Sequence, residues 1–252
     1  MEDSVAKKLL DINDRFYQRF GQAFAETRRR LQPGVERILD TYLHKGNLLD
    51  LGCGSGVLGQ RLAQSGFQGS YLGLDFSAPL LDEARQGAQA FAGVEGCRLA
   101  YAQANLLDEA WLDQTAGLTF DGALAFAALH HIPGEEKRQR LLAQVSGLLP
   151  PGGLFIHSEW QFQNSPKLMA RVQPWSMVGL DESELEKGDT LLDWRHNPGG
   201  EKGEAGLRYV HLFDRLELDG LASGAGFEIL EEFESDGKSG NLALYQVWRK
   251  RT

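Results

Sequence analysis

The chain has 252 residues, 42% of them hydrophobic and 24% charged, with a formal net charge of −9. That composition supports a globular fold with a sizeable core, and the acidic balance argues against non-specific nucleic-acid binding. The two cysteines, Cys53 and Cys97, form no Cys-x-x-Cys pair, so no metal site of the usual spacing is expected, and a reducing, cytoplasmic setting fits. No apolar run approaches the roughly 20 residues that span a bilayer. The opening MEDSVAKKLL has no apolar leader core, so a soluble chain away from membranes is expected.

Val5, Leu9, Ile12, Phe16, Phe20 and Phe24 recur at helical spacing, with Asp3 or Ser4 as the expected cap. A second helix is expected over Val35–Leu43, so residues 1–46 read as N-terminal helices ahead of a sheet. Strands and helices then alternate: strand Asn47–Leu51, helix Val57–Gln64, strand Tyr71–Leu74 ending at Asp75, helix Ala78–Ala90, strand Arg98–Ala102, strand Phe120–Phe126, helix Glu135–Leu149 and strand Leu154–Ser158. Such alternation predicts a doubly wound α/β domain with a mostly parallel sheet. Residues 160–206 are polar and rich in proline and glycine. They are expected to form an insertion with a few short helices, either a surface excursion or a lid. A helix over Leu212–Ser223 and two strands, Phe227–Phe233 and Leu242–Trp248, end the chain. Asp236-Gly237 marks the connection between those strands as an antiparallel hairpin. The whole of 1–252 is read as a single domain.

The stretch LLDLGCGSG ends a predicted strand on Gly52, Gly54 and Gly56. Glycines there let the backbone turn tightly and approach a ligand, and the next helix aims its positive N-terminus at that ligand. Asp75, about 20 residues on, is placed to accept hydrogen bonds from a ribose, so a dinucleotide enzyme is one candidate. Asp50 argues against it. A pyrophosphate sits badly beside an uncompensated carboxylate, whereas a ligand carrying an ammonium or sulfonium tolerates one. Cys53 reads as a small turn residue.

LLDLGCGSG, LGLDFSAPLLDEAR, FDGALAFAALHHIP and LLPPGGLFIHSEW, in this order over about Asn47 to Trp160, resemble the class I S-adenosylmethionine-dependent methyltransferases. The resemblance implies a seven-stranded Rossmann-like sheet whose last strand inserts antiparallel. It implies S-adenosylmethionine as cofactor and S-adenosylhomocysteine as product. Gly52, Gly54 and Gly56 would line the methionine end with Asp50 nearby. Asp75 would hold the ribose, Phe76 would lie against the adenine, and Asn105 and Leu106 would meet its edge. The family commonly has Asp at the position of Asn105. Phe126 and Ala127 would stand beside the reactive methyl, with His130 and His131 following as candidates for a base or a substrate hydrogen-bond donor.

The fourth strand ends FAALHHIP, without the Asn/Asp-Pro-Pro-aromatic or Pro-Cys signatures of base methylation. Phe24-Ala25-Glu26-Thr27-Arg28 before Leu31-Gln32-Pro33, the segment Leu207–Phe213, the His-His pair and Trp160 resemble the eukaryotic tRNA wobble-uridine methyltransferases, which esterify 5-carboxymethyluridine. That resemblance implies a tRNA acceptor, a small zinc-binding activator subunit as partner, and Arg28, Arg208 and His131 as groups that orient the acceptor. The alternatives are a small acid, phenol or amine as acceptor, a cofactor-binding protein without turnover, and a nicotinamide oxidoreductase. Arg28-Arg29-Arg30 with Arg37, and Trp248-Arg249-Lys250-Arg251, are the candidate basic clusters.

Overall fold

A computed structural model describes residues 1–26, 30–195 and 205–252. Its elements in chain order are α1 (Asp3–Glu26), α2 (Pro33–Tyr42), β1 (Lys45–Leu51), α3 (Val57–Gln64), β2 (Gln68–Asp75), α4 (Ala78–Ala88), β3 (Cys97–Gln103), β4 (Gly122–Phe126), α5 (Glu135–Leu148), β5 (Leu154–Trp160), α6 (Pro166–Met169), β6 (Val172–Gln173), β7 (Asp189–Arg195), β8 (Ala205–His211), α7 (Arg215–Gly224), β9 (Phe227–Ser235) and β10 (Ala243–Lys250). Among the described residues the main sheet has seven strands in the order β3-β2-β1-β4-β5-β10-β9. β1 to β5 run parallel, and β10 inserts antiparallel between β5 and β9.

Period-two alternation splits each central strand between two cores. Leu49, Leu51, Ala123, Ala125 and Phe155 face α5 and α7 with Trp111 and Trp248. Leu48, Leu124, Ile156 and Tyr245 face α2 and α3 with Tyr71. Asp50 lies on this second face, two residues from Leu48, which puts a carboxylate in an apolar layer. The strand order reverses at β1, since β2 lies on one side and β4 on the other. The crevice beyond the ends of β1 and β4 is therefore the place where a sheet of this kind binds ligands.

Two readings of the sequence change. α1 begins at Asp3 itself, so neither Asp3 nor Ser4 is an external cap. The Asp3 carboxylate instead meets Lys137 at 2.6 Å. The larger correction concerns 160–206. The expected short helices are present, among them α6, but β6, β7 and β8 add an antiparallel three-stranded sheet. Its strands look polar because several of their polar side chains are buried against partners. His211 meets Asp189 at 2.7 Å with both side chains buried, and buried Asp193 meets the exposed Arg195 at 2.7 Å.

This small sheet and α1 form one packed unit. Val5, Leu9 and Ile12 share a core with Trp175, Leu180, Leu191 and Tyr209, and Phe16 and Tyr17 share another with Leu80 and Trp194. Gly206 of β8 leaves the space that Phe16 and Phe20 fill, since a Cβ there would come within 2.7 Å of both rings. Asn13 clamps α1 to β8, accepting from Tyr209 N at 2.8 Å and donating to Tyr209 O at 3.1 Å. The unit is a roof over the crevice. Arg138 of α5 anchors it, donating to Glu186 at 2.7 Å and Glu217 at 2.9 Å. No helix among the described residues is long and apolar enough to cross a membrane.

Candidate active site at the reversal of the strand order

The turn after β1 needs its glycines. Gly52, Gly54 and Gly56 have φ of 79°, 54° and 72°, a region in which side chains are strained. The N–H groups of Gly52 and Cys53 both donate to Leu74 O, at 2.8 and 3.0 Å, which ties the turn to β2. Asp75 makes the second tie, accepting from Gly54 N and Ser77 N, both at 2.9 Å. Burial raises the Asp75 carboxyl above its ordinary value, and these N–H groups pull it back. A Cβ on Gly54 would find nothing within 4 Å, so the turn faces open space. Ser77 Oγ, fully buried beside Asp75, has no hydrogen-bond partner among the described residues.

Asp50 lies beneath the turn, where the Tyr71 hydroxyl donates to it. Burial pushes its carboxyl up to about 7, which makes it sensitive to any cation placed above it. Burial, then Asp50 and Asp75, also raise the Cys53 thiol far above its usual value. That keeps it uncharged and fits its reading as a turn residue.

Phe76 is covered by α1, with the Tyr17 ring edge-on at 5.6 Å. Asn105 turns its side-chain oxygen to Leu107 N at 3.1 Å, and Leu106 packs on the first core. β4 ends with Phe126 leaning on Tyr245 at 6.1 Å. Ala127 then has φ of 54°, held there by Ser158, whose backbone O and Oγ accept from Ala127 N at 3.0 and 3.1 Å. A non-glycine residue in this region stores strain, and such residues gather at functional sites.

His130 and His131 follow in a short 3-10 turn, rings 4.5 Å apart. His131 meets Tyr17 OH through Nε2 at 2.9 Å and Tyr209 O through Nδ1 at 3.2 Å. The Asn13 amide nitrogen also approaches Nδ1, at 3.3 Å, so both ring nitrogens are engaged within the protein. His130 is buried and meets Glu159 through Nδ1 at 3.3 Å. Arg208 enters from β8, almost fully buried, with its guanidinium 5.0 Å from the Phe16 ring and 5.3 Å from the Trp160 ring. Burial lowers its pKa, and contact with Tyr17 offsets part of that. Arg28 lies outside the described residues. The crevice thus gathers Asp50, Asp75, Phe76, Ala127, His130, His131 and Arg208 around its rim and floor.

Sequence reasoning missed Tyr17, Asn13 and Glu159. Tyr17 lies beside the apolar stripe of α1 and is unmarked by spacing. A carboxylate in the apolar run LFIHSEW was a legible signal for Glu159. Elsewhere, Glu186, Asp189 and His211 bring one potential ligand atom each within 4.8 Å of one another. Their charges already meet Arg138 and a His211 that Asp189 and Glu217 keep protonated above the ordinary histidine value, against burial. The cluster is an ion-pair network.

The family model described as a methyltransferase domain matches residues 22–232. The chain belongs to this family. The methyltransferase is 26% identical over 225 residues to the tRNA (carboxymethyluridine(34)-5-O)-methyltransferase of Schizosaccharomyces pombe, covering 85% of this chain and 88% of that one. It spans only 37% of the length of the Arabidopsis thaliana protein of the same name. It is 30% identical to the ubiquinone biosynthesis O-methyltransferase of Sodalis glossinidius, covering 69% of this chain and 68% of that one. A solved SAM-dependent methyltransferase from Methanosarcina mazei superposes with a TM-score of 0.60 at 22% identity, over 88% of this chain and 98% of that one.

Proposed function

We propose that this methyltransferase uses S-adenosylmethionine to methylate a carboxylate oxygen, and that the acceptor is a carboxymethyl-type wobble uridine of tRNA. The observation that carries the reading is Arg208, a guanidinium built into the roof against the Phe16 and Trp160 rings. The match to the S. pombe tRNA enzyme along most of both chains supports it.

The residues fit the cofactor: open space above Gly54, a partly engaged Asp75 and an unpartnered Ser77 hydroxyl. When bound, S-adenosylmethionine supplies a methyl group on a sulfonium. Asp75 retains lone pairs for the ribose hydroxyls. The N-terminus of α3 would suit the carboxylate of the methionine, and Asp50 would face its ammonium. Phe76 would lie against the adenine, with Asn105 and Leu106 at its edge. Phe126 and Ala127 would stand beside the sulfur.

A carboxylate acceptor is ionised at neutral pH and needs no base. It needs cationic donors and exclusion of water, since positioning supplies most of the acceleration in such a displacement. Among the described residues Arg208 gives the donor, since both ring nitrogens of His131 are engaged by Tyr17 and Tyr209; Arg28 would add a second. Phe16, Tyr17 and Trp160 give the apolar cover. Arg28 and Arg29 of the first basic cluster lie outside the described residues, and three described members of the two clusters are engaged. Arg37 is paired with Glu231 and Arg249 with Glu228, while Lys250 caps the carbonyls of Ser146 and Leu149 at 2.7 Å. Docking of tRNA falls to the remaining residues of these clusters, to the activator subunit and to other surfaces.

A second reading, a phenolic acceptor, draws on the Sodalis relative. Labelled cofactor with bulk tRNA against a metabolite extract separates the two. The tRNA reading expects label that mild alkali releases as an ester and that nuclease renders soluble; alkali-stable label in a small molecule overturns it. R208A is expected to abolish turnover of the tRNA acceptor with unchanged affinity for S-adenosylhomocysteine; retained turnover removes Arg208 from the site.

A further inference from the structure

The roof rejoins the main fold where β8 runs into α7, and a cluster of charges marks the joint. His211, the last residue of β8, is buried between two carboxylates. Its Nδ1 lies 2.7 Å from Asp189 Oδ1, and its Nε2 lies 3.0 Å from both oxygens of Glu217. Asp189 opens β7 and belongs to the roof, whereas Glu217 lies in the first turn of α7 and belongs to the main fold. His211 therefore spans the joint.

These partners fix its protonation. Asp189 also accepts from Tyr209 OH on Oδ1 and from Glu186 N on Oδ2, both at 2.9 Å. Glu217 also accepts from Arg138 at 2.9 Å. A carboxyl group surrounded by donors is ionised and only accepts. A neutral imidazole has one N–H and would turn a lone pair toward one of these anions. Both ring nitrogens therefore donate, and His211 is an imidazolium. Burial works against that charge, and the bonds to Asp189 and Glu217 outweigh it.

The other groups at the joint do not replace this charge. Arg138 of α5 is shared by Glu186 and Glu217. With His211 charged, two cations meet the three carboxylates Asp189, Glu186 and Glu217; without its proton, Arg138 faces them alone. Lys187 pairs with Asp214 at 3.7 Å. Burial and Asp189 push the Tyr209 hydroxyl far up, so it keeps its proton. Glu159 faces Arg138 and Glu217 from β5, and burial drives its carboxyl far above the usual value. Phe213 sets its ring edge against His211, centroids 4.8 Å apart, and brings no charge. On the roof side, Glu186 and Asp189 line a cavity of about 430 Å³ with Trp175 and Leu185, so the joint has room to move.

We propose that His211 is a proton-operated latch: charged, it ties the roof to α7, and on losing a proton it releases Glu217 and lets the roof lift from the crevice. The neutral ring keeps its proton on Nδ1, where the contact is shorter and Asp189 is the more buried partner. The Nε2 lone pair then faces Glu217, whose side chain is partly exposed and turns to water. Arg208 lies three residues from His211 on the same strand, so the latch governs when the roof presents it. In the open state the ring titrates near its ordinary value of about 6.5, and in the closed state it holds the proton more tightly. Closure is therefore level with pH below about 6.5. It weakens by up to about tenfold per pH unit from there to the closed-state value, and is level again above it.

Two measurements on the full-length protein test the latch. The first is the nitrogen spectrum of histidine-labelled protein, whose six histidines are assigned by single substitutions. His211 is expected to hold both protons at pH 6 and to lose the one on Nε2 as the pH rises; a singly protonated ring at pH 6, or loss from Nδ1, overturns the proposal. The second is amide protection, corrected for the intrinsic pH dependence of exchange. In β7 and β8 it is expected to fall about tenfold or more between pH 6 and 9; protection level with pH overturns the proposal. E217Q is expected to remove that fall, because an amide offers a donor to the neutral ring and an acceptor to Arg138. An equal fall in E217Q and wild type assigns it elsewhere, Glu159 included, and overturns the latch. H211Q is expected to show the low alkaline protection at every pH. Should it fail to fold, wild type and E217Q decide alone. Neither measurement uses a methyl acceptor, so failure of the tRNA reading leaves both intact.

Discussion

The two sides of the crevice are built differently. The cofactor side comes from turns at the ends of adjacent strands, held by backbone bonds and one carboxylate. Gly54, Asp75 and Ser77 lie within 24 positions of one another and make their contacts locally. The roof side joins α1 to a sheet some 180 residues away and buries charge to do so. Asn13 reaches Tyr209, and Arg138 reaches Glu186 and Glu217. The difference teaches where each side is vulnerable. A change on the cofactor side alters binding, whereas a change in the roof's ion network alters folding.

The largest expected break is R138L. Removing one partner from a buried ion network leaves uncompensated carboxylates and costs about 3–5 kcal/mol. Denaturant unfolding checks it, and S-adenosylhomocysteine affinity of the folded fraction is expected to stay near wild type.

D50N breaks the rule from the other side, because this cofactor-side residue is expected to affect stability as well. Its carboxyl moves from about 3.9 unfolded to about 7 folded. The folded state therefore holds the proton more tightly. Stability contributed by this group is full below pH 4 and declines as the pH rises toward and past 7, by up to about 4 kcal/mol. Asparagine removes that decline. D50N is expected to match wild type near pH 4, to exceed it increasingly up to pH 8, and to bind S-adenosylhomocysteine more weakly. A pH series of thermal melts checks the first part and calorimetry the second.

D75A is expected to weaken S-adenosylhomocysteine binding by roughly 2–4 kcal/mol if both ribose bonds are lost; unchanged affinity refutes the assignment. N13A is expected to cost about 1–3 kcal/mol of stability, because it leaves the buried N–H of Tyr209 without its partner. Hydrogen exchange sharpens the comparison here, since added exchange is expected in α1 and β8 and none in β1 or β2.

Local chemistry made half of this protein legible. The order of strands and helices, the glycine turn, Asp75 and the C-terminal hairpin follow from spacing and composition, because each is set by neighbours in the chain. A tight turn needs glycine wherever it occurs, and an apolar strand flanked by helices is buried on both faces. The roof was not legible for the opposite reason. β7 and β8 carry Asp189, Asp193, Arg208 and His211, residues that read as solvated loop until their partners are known. Those partners lie on other elements: Arg138 and Glu217 for the network, and Phe16 and Trp160 for Arg208. The same holds for Asp50, which spacing placed beneath the ligand but only packing set against Tyr71 with a raised pKa. By itself the sequence determined the sheet and the cofactor turn, whose forces act between chain neighbours. The tertiary structure decided which charges are buried, and hence what the roof presents to an acceptor. Burial of a charge is tolerated only when a distant residue compensates it.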